Sequence, residues 1–152
     1  DRSSAASDVY KRQKQQLTGP LTLAAAVALP RGERVLADHG ARRDLAEALA
    51  EGVQDHLADL RRRFPGREIL LQIDEPGIHA VLSGTVPTSS GFGRYRVVDT
   101  PEADALLCTV VEAVKSAGAT PVVHCCAEQV PVALLAGGGL RRDRLRPLAQ
   151  PP

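Results

Sequence analysis

The sequence predicts an α/β protein organised around a parallel β-sheet, and three observations carry that expectation. Short apolar runs rich in Val, Ile and Leu alternate with longer segments whose apolar residues recur three and four apart. The longer segments are closed by Pro and Gly and have the length of crossover helices between parallel strands. The chain has 152 residues, the size of one domain, whereas a complete (β/α)8 barrel needs about 250. A barrel of that kind fits only as roughly half. A small doubly wound sheet is the other architecture that this length favours.

Taken in order, Gln15 to Leu17 reads as the end of a strand, followed by the turn Thr18-Gly19-Pro20. The Ala-rich stretch Leu21 to Leu29 reads as a helix closed by Pro30 and Gly32. Asp44 is the expected N-cap of a long helix running to about Arg63. Its residues Leu45, Leu49, Val53, Leu57 and Leu60 form one apolar stripe. Phe64-Pro65-Gly66 ends it. Ile69 to Ile73 is a compact apolar strand of the kind buried on both faces, and Glu75 to Asp99 a long loop. The next helix has Thr100 as expected N-cap, Pro101 in its first turn, Glu102 near the positive dipole end and Gly118 after its last turn. Leu106, Leu107, Val110, Val111 and Val114 line its buried side. A second apolar strand, Thr120 to Cys125, and a short helix from about Glu128 to Ala136 complete the alternation.

Both ends differ from this middle. Residues 1–13 are polar and serine-rich and resemble a non-native leader of the kind that translated adapter DNA adds to a reading frame. Residues 140–152 are irregular and basic, either a solvated tail or an out-of-frame segment after the triple glycine. The expected domain is therefore 14–139.

Composition removes several function classes. Lys and Arg total 19 against 18 Asp and Glu, so bulk charge offers no attraction to nucleic acid or an anionic membrane. No apolar run approaches the ~18 residues of a spanning helix. Three cysteines, Cys108, Cys125 and Cys126, make an odd number, which argues against a disulfide scaffold and for a reducing, cytoplasmic setting. Aromatic residues are only 3% and Trp and Met are absent, so the core is built from Leu, Val and Ala.

In parallel α/β folds the active site gathers at the carboxyl ends of the strands. Two strand ends here turn abruptly polar. In Gln72-Ile73-Asp74-Glu75-Pro76 the period of two places Gln72 and Asp74 on one face, with Asp74 at the mouth. An acid there binds a substrate ammonium or acts as a base; equally, it caps the following turn. In Val122-Val123-His124-Cys125-Cys126 the same period sends His124 and Cys126 one way and Cys125 toward the helix layer. Imidazole plus thiolate suits zinc, although two ligands do not make a site and a buried histidine beside a small cysteine is the plainer alternative. The C-x-x-C spacing of a dithiol enzyme is absent. Cys108 reads as helix core. The loop 77–93 is long enough to fold over the mouth, and Thr88-Ser89-Ser90-Gly91 is either an anion-binding turn or an ordinary surface turn. Arg61, Arg62 and Arg63 suit the C-terminal dipole of their own helix.

Thr18-Gly19-Pro20, then Gln72-Ile73-Asp74-Glu75-Pro76, then His124-x-Cys126, in that order, resembles the catalytic C-terminal barrel of cobalamin-independent methionine synthase. The resemblance covers Gln15 to about Gly139 and implies an interior fragment: a partial (β/α)8 TIM barrel, roughly strands 3 to 6. It implies a zinc-dependent methyltransferase in which a zinc-bound homocysteine thiolate takes a methyl group from polyglutamylated methyltetrahydrofolate, giving methionine. By the same resemblance His124 and Cys126 are zinc ligands, Asp74 and Gln72 belong to the homocysteine site, and Glu75 and Pro76 shape the turn. The remaining ligands, a Glu and a second Cys, fall beyond Gly139, so this chain alone is expected to bind zinc weakly and not to turn over. Uroporphyrinogen decarboxylase-like proteins and corrinoid-linked thiol methyltransferases are the nearest alternatives within the superfamily. A non-catalytic α/β fragment is the alternative of another class.

Overall fold

A computed structural model describes residues 12–125. Residues 1–11, Cys126, the helix expected from Glu128 to Ala136, and the irregular tail lie outside the described residues. Three parallel strands, β1 (Arg12–Thr18), β2 (Glu68–Asp74) and β3 (Thr120–His124), form one sheet in the order β1-β2-β3. The chain alternates as the sequence predicts. Helices α1 (Pro20–Ala26) and α2 (His39–Arg63) lie between β1 and β2, and α3 (Ile78–Ser83) and α4 (Thr100–Ser116) between β2 and β3. The strand order does not reverse, so the described strands contain no topological switch point of the doubly wound kind. Arg12 and Gln13, the last two residues of the stretch set apart as leader, pair with Glu68 and Ile69.

The sheet has two unlike faces. Ile69, Leu71 and Ile73 of β2 and Val123 of β3 pack in one cluster with Val53, Leu57 and Leu60 of α2 and Val110, Val111 and Val114 of α4. Both long helices therefore cover the same face. The other face carries Leu70, Gln72 and Asp74 beside Val122 and His124; Leu70 and Val122 are half-buried and belong to neither apolar cluster. The expectation that β2 is buried on both faces holds in full for its helix side; on the other face Gln72 is buried, and Leu70 and Asp74 are half-buried. A second cluster, with Leu21, Leu36, Ile78, Val81, Val98 and Leu106 among its buried members, joins α1, α3 and the first turns of α4. Among the described residues no helix is long and apolar enough to cross a membrane.

Several boundaries differ from the sequence expectation, each for a local reason. The N-cap of α2 lies six residues before the expected one: it is Asp38, whose carboxylate accepts from the Ala41 amide at 2.8 Å. Gly40 makes the first turn read as a loop, which hides this start. Leu45 and Leu49 are only half-buried, and Ala46 takes the buried place in that part of the helix. The N-cap of α4 is Asp99, accepting from the Glu102 amide at 2.9 Å, one residue before Thr100. Asp38→Ala and Asp99→Ala are each expected to cost about 1 kcal/mol of stability. Asp44→Ala and Thr100→Ala should change it by less than about 0.5 kcal/mol. Urea unfolding of the four variants separates the two sets of caps.

α1 stops at Ala26, where Val27 turns extended and the Arg34 guanidinium donates to the Ala26 carbonyl at 2.6 Å. The long loop holds a six-residue helix, α3, ended by left-handed Gly84. Arg42 ties the ends together: it donates to the Leu36 carbonyl at 2.6 Å and pairs with Glu102 at 2.9 Å. Burial raises the Glu102 carboxyl, but hydrogen bonds and charge from Arg42 and His39 outweigh it and hold the group below its ordinary value. Arg61 acts on the neighbouring helix, donating at 2.6 Å to the Ala117 carbonyl at the end of α4, while Arg62 and Arg63 pair with Asp59. Cys108 is half-buried on α4, and burial followed by the nearby Asp104 and Glu112 charges pushes its thiol up.

Candidate functional site

Parallel pairing places Asp74, the last residue of β2, directly opposite His124, the last residue of β3. The side chains meet. His124 Nδ1 lies 3.2 Å from Asp74 Oδ1, and the Gln72 amide nitrogen donates to the same oxygen at 2.6 Å. Two nitrogens thus converge on one carboxylate oxygen at the carboxyl edge of the sheet. Gln72 is buried, while the Asp74 and His124 side chains are 31% and 25% exposed. That exposure leaves the pair accessible to a small solute. The two strand ends singled out from the sequence therefore form one cluster, and Asp74 faces His124 instead of capping a turn. Cys125 points away from it as expected, packing against both apolar clusters.

Glu75, given only a turn-shaping part by the resemblance, is the residue that sequence reasoning undervalues. It is fully buried on the helix side. Its carboxylate accepts from the amides of Leu21 and Thr22 at the start of α1, with the Thr22 contact at 3.4 Å. Among the described residues its Oε2 has no hydrogen-bond partner. Burial pushes the carboxyl from 4.5 up to about 8, against the lowering effect of the two amides. Gly19 lies so close that a Cβ there would sit 1.9 Å from Glu75 Oε1. Backbone bonds complete the junction: Gly19 donates to the Asp74 carbonyl at 2.8 Å, and Glu75 to the His124 carbonyl at 2.9 Å. Gly77 donates to the Thr22 hydroxyl at 3.0 Å. The Thr18-Gly19-Pro20 turn and the Asp74-Glu75-Pro76 turn therefore form one packed corner beneath the polar cluster. Period two does put Glu75 opposite Asp74, but nothing local shows that it meets a glycine more than fifty residues earlier.

The loop after α3 does not join this cluster. Tyr95 donates to Glu33 at 2.8 Å and accepts from the Arg34 amide at 3.1 Å, and Ser89 donates to the Gly32 carbonyl at 2.7 Å. The loop is pinned to the connection between α1 and α2. The Thr88 and Ser90 hydroxyls are engaged with each other and with Phe92 and Gly93 inside the turn, which favours an ordinary surface turn over an anion site.

The zinc ion implied by the resemblance takes imidazole nitrogen, thiolate sulfur and carboxylate oxygen donors. With Nδ1 of His124 against a carboxylate, Nε2 is left for coordination, the arrangement in which metal-binding histidines are commonly held. His124 thus fits as a single donor. Among the described residues no group of three or more His, Cys, Asp or Glu side chains is placed to hold a metal ion, and Cys126 lies outside them. Comparison of the chain with protein-family models, with curated proteins and with solved structures finds no match.

Proposed function

We propose that the chain is part of a zinc-dependent methyltransferase that moves a methyl group from methyltetrahydrofolate (as its polyglutamate), or another methyl carrier, to homocysteine, making methionine in a cytoplasmic setting. The observation that supports this reading is the convergence of Gln72, Asp74 and His124 at adjacent parallel strand ends, on the motifs that carry the resemblance. The unreversed strand order, with α2 and α4 on one face, is compatible with a partial (β/α)8 barrel, roughly strands 3 to 6, whose inner face would be the polar one.

In this reading His124 and Cys126 hold the zinc. When bound, zinc lowers the pKa of a coordinating thiol so that its sulfur is nucleophilic near neutral pH. Asp74 receives the homocysteine ammonium on Oδ2, because Oδ1 is already engaged by Gln72 and His124. That anchoring holds the substrate by its amino group at a fixed distance from the His124 ring. The packed corner formed by Gly19, Glu75 and Thr22 keeps the two strand ends from shifting against each other.

The test is made on the complete gene product that contains these residues. Cys126→Ser is expected to strip zinc and abolish methionine formation. Asp74→Asn is expected to raise the KM for homocysteine by about tenfold or more, the cost of losing a charged hydrogen bond, with zinc content unchanged. Full activity and full zinc in Cys126→Ser would sink the ligand assignment. Absence of methyl transfer to homocysteine from any of these donors would leave the decarboxylase-like and the non-catalytic readings.

A further inference from the structure

Asp74 has a second task that the motif resemblance does not assign. Its Oδ1 is the meeting point of a buried amide and an imidazole: Gln72 Nε2 at 2.6 Å and His124 Nδ1 at 3.2 Å. A neutral imidazole carries one N–H, and which nitrogen bears it is set by the partner of the other. A carboxylate oxygen can only accept, so contact with Nδ1 favours the ring form that has its hydrogen there. Gln72 reinforces the selection. It lies on the same face two residues earlier, is 7% exposed, and donates its amide to that oxygen. The donation holds the Asp74 carboxylate in one orientation, with Oδ1 turned toward the His124 ring. Cross-strand register does the rest, since Asp74 and His124 are partners in the β2–β3 pairing.

We propose that Gln72 and Asp74 form a positioning relay that fixes neutral His124 as the Nδ1–H tautomer and leaves Nε2 as the electron-pair donor at the sheet edge. Gln72 is thereby a positioning residue acting through Asp74, and Asp74 an orienting group for the imidazole as well as a binding group. The inference deepens the methyltransferase reading and shares Asp74 and His124 with it. The ring's tautomer is nevertheless a property of the metal-free, substrate-free chain.

The experiment is 15N-resolved NMR of the histidine rings in the 152-residue chain, without metal, near pH 8, where a free imidazole is neutral. A His124→Gln variant assigns the His124 signals against those of His39, His56 and His79. The expected result is a protonated Nδ1 and an unprotonated Nε2 in the unaltered chain. Asp74→Leu should move the ring to a majority Nε2–H population, Asp74→Asn should restore part of the Nδ1–H form, and Gln72→Leu should shift it in the same direction as Asp74→Leu but less. A majority Nε2–H ring, or a persisting imidazolium, in the unaltered chain overturns the proposal without any variant needing to fold. So does an Nδ1–H population that Asp74→Leu leaves unchanged. Failure of the zinc and methyl-transfer assays would leave these outcomes untouched, so the two readings fail separately.

Discussion

Glu75→Gln is expected to stabilise the protein at neutral pH and to remove much of the pH dependence of its unfolding. Glu75 is 0% exposed, and burial holds its carboxyl at about 8 in the folded state against 4.5 for the free side chain. The folded state therefore keeps a proton that the unfolded chain releases. Below about pH 4.5 both states are protonated and the group costs nothing. Between about 4.5 and 8 the unfolded chain ionises first, so stability falls by about 1.4 kcal/mol for each pH unit. Above about 8 both states are ionised and the loss levels off. Glutamine has the same shape and an amide in place of the acid, so it lacks this slope. The gain at pH 7 is on the order of 3 kcal/mol. Urea midpoints of the two proteins at pH 5, 7 and 8.5 read the difference directly: the curves should diverge as pH rises toward 8. Parallel curves would mean that water reaches Glu75 and that its burial is not maintained in solution.

Gly19→Ala acts on the same corner from the other side and should destabilise it strongly. Gly19 has φ −73° and ψ 169°, a conformation open to any residue, so backbone strain plays no part. On those grounds alone alanine would be mildly stabilising through the unfolded chain, by about 0.4–1 kcal/mol. Space decides otherwise. The new Cβ would sit 1.9 Å from Oε1, 2.5 Å from Cδ and 2.7 Å from Cγ of Glu75. Glu75 is buried and held by two amides, so it cannot swing clear as a surface side chain would. A loss of about 1–3 kcal/mol is expected, the range for overpacking. Combining Gly19→Ala with Glu75→Ala should recover a large part of it, a coupling seen only between residues in contact. If the double variant is as unstable as the sum of the single ones, the close approach of Gly19 to Glu75 is not present in solution.

The sequence by itself determined the parts that depend on neighbours along the chain. The Pro, Glu and Gly punctuation of α4 and its buried stripe of Leu106, Leu107, Val110, Val111 and Val114 are legible because a helix repeats every few residues. The placement of Gln72 and Asp74 on one face follows from the two-residue period of a strand, and their hydrogen bond is its consequence. Asp38 lay within reach of the same reasoning but was obscured by Gly40, which weakens a helical pattern at its first turn. Tertiary structure decided the rest. Asp74 meets His124 only because β2 and β3 pair in one register out of many, across 50 residues of chain. Glu75 becomes a buried acid, and not a turn residue, only because the end of β1 delivers Gly19 and the start of α1 against it. Periodicity assigns a residue to a face, whereas register and long loop closure choose what that face touches. Those choices are made by the packing of Ile69, Leu71 and Ile73 against α2 and α4 together.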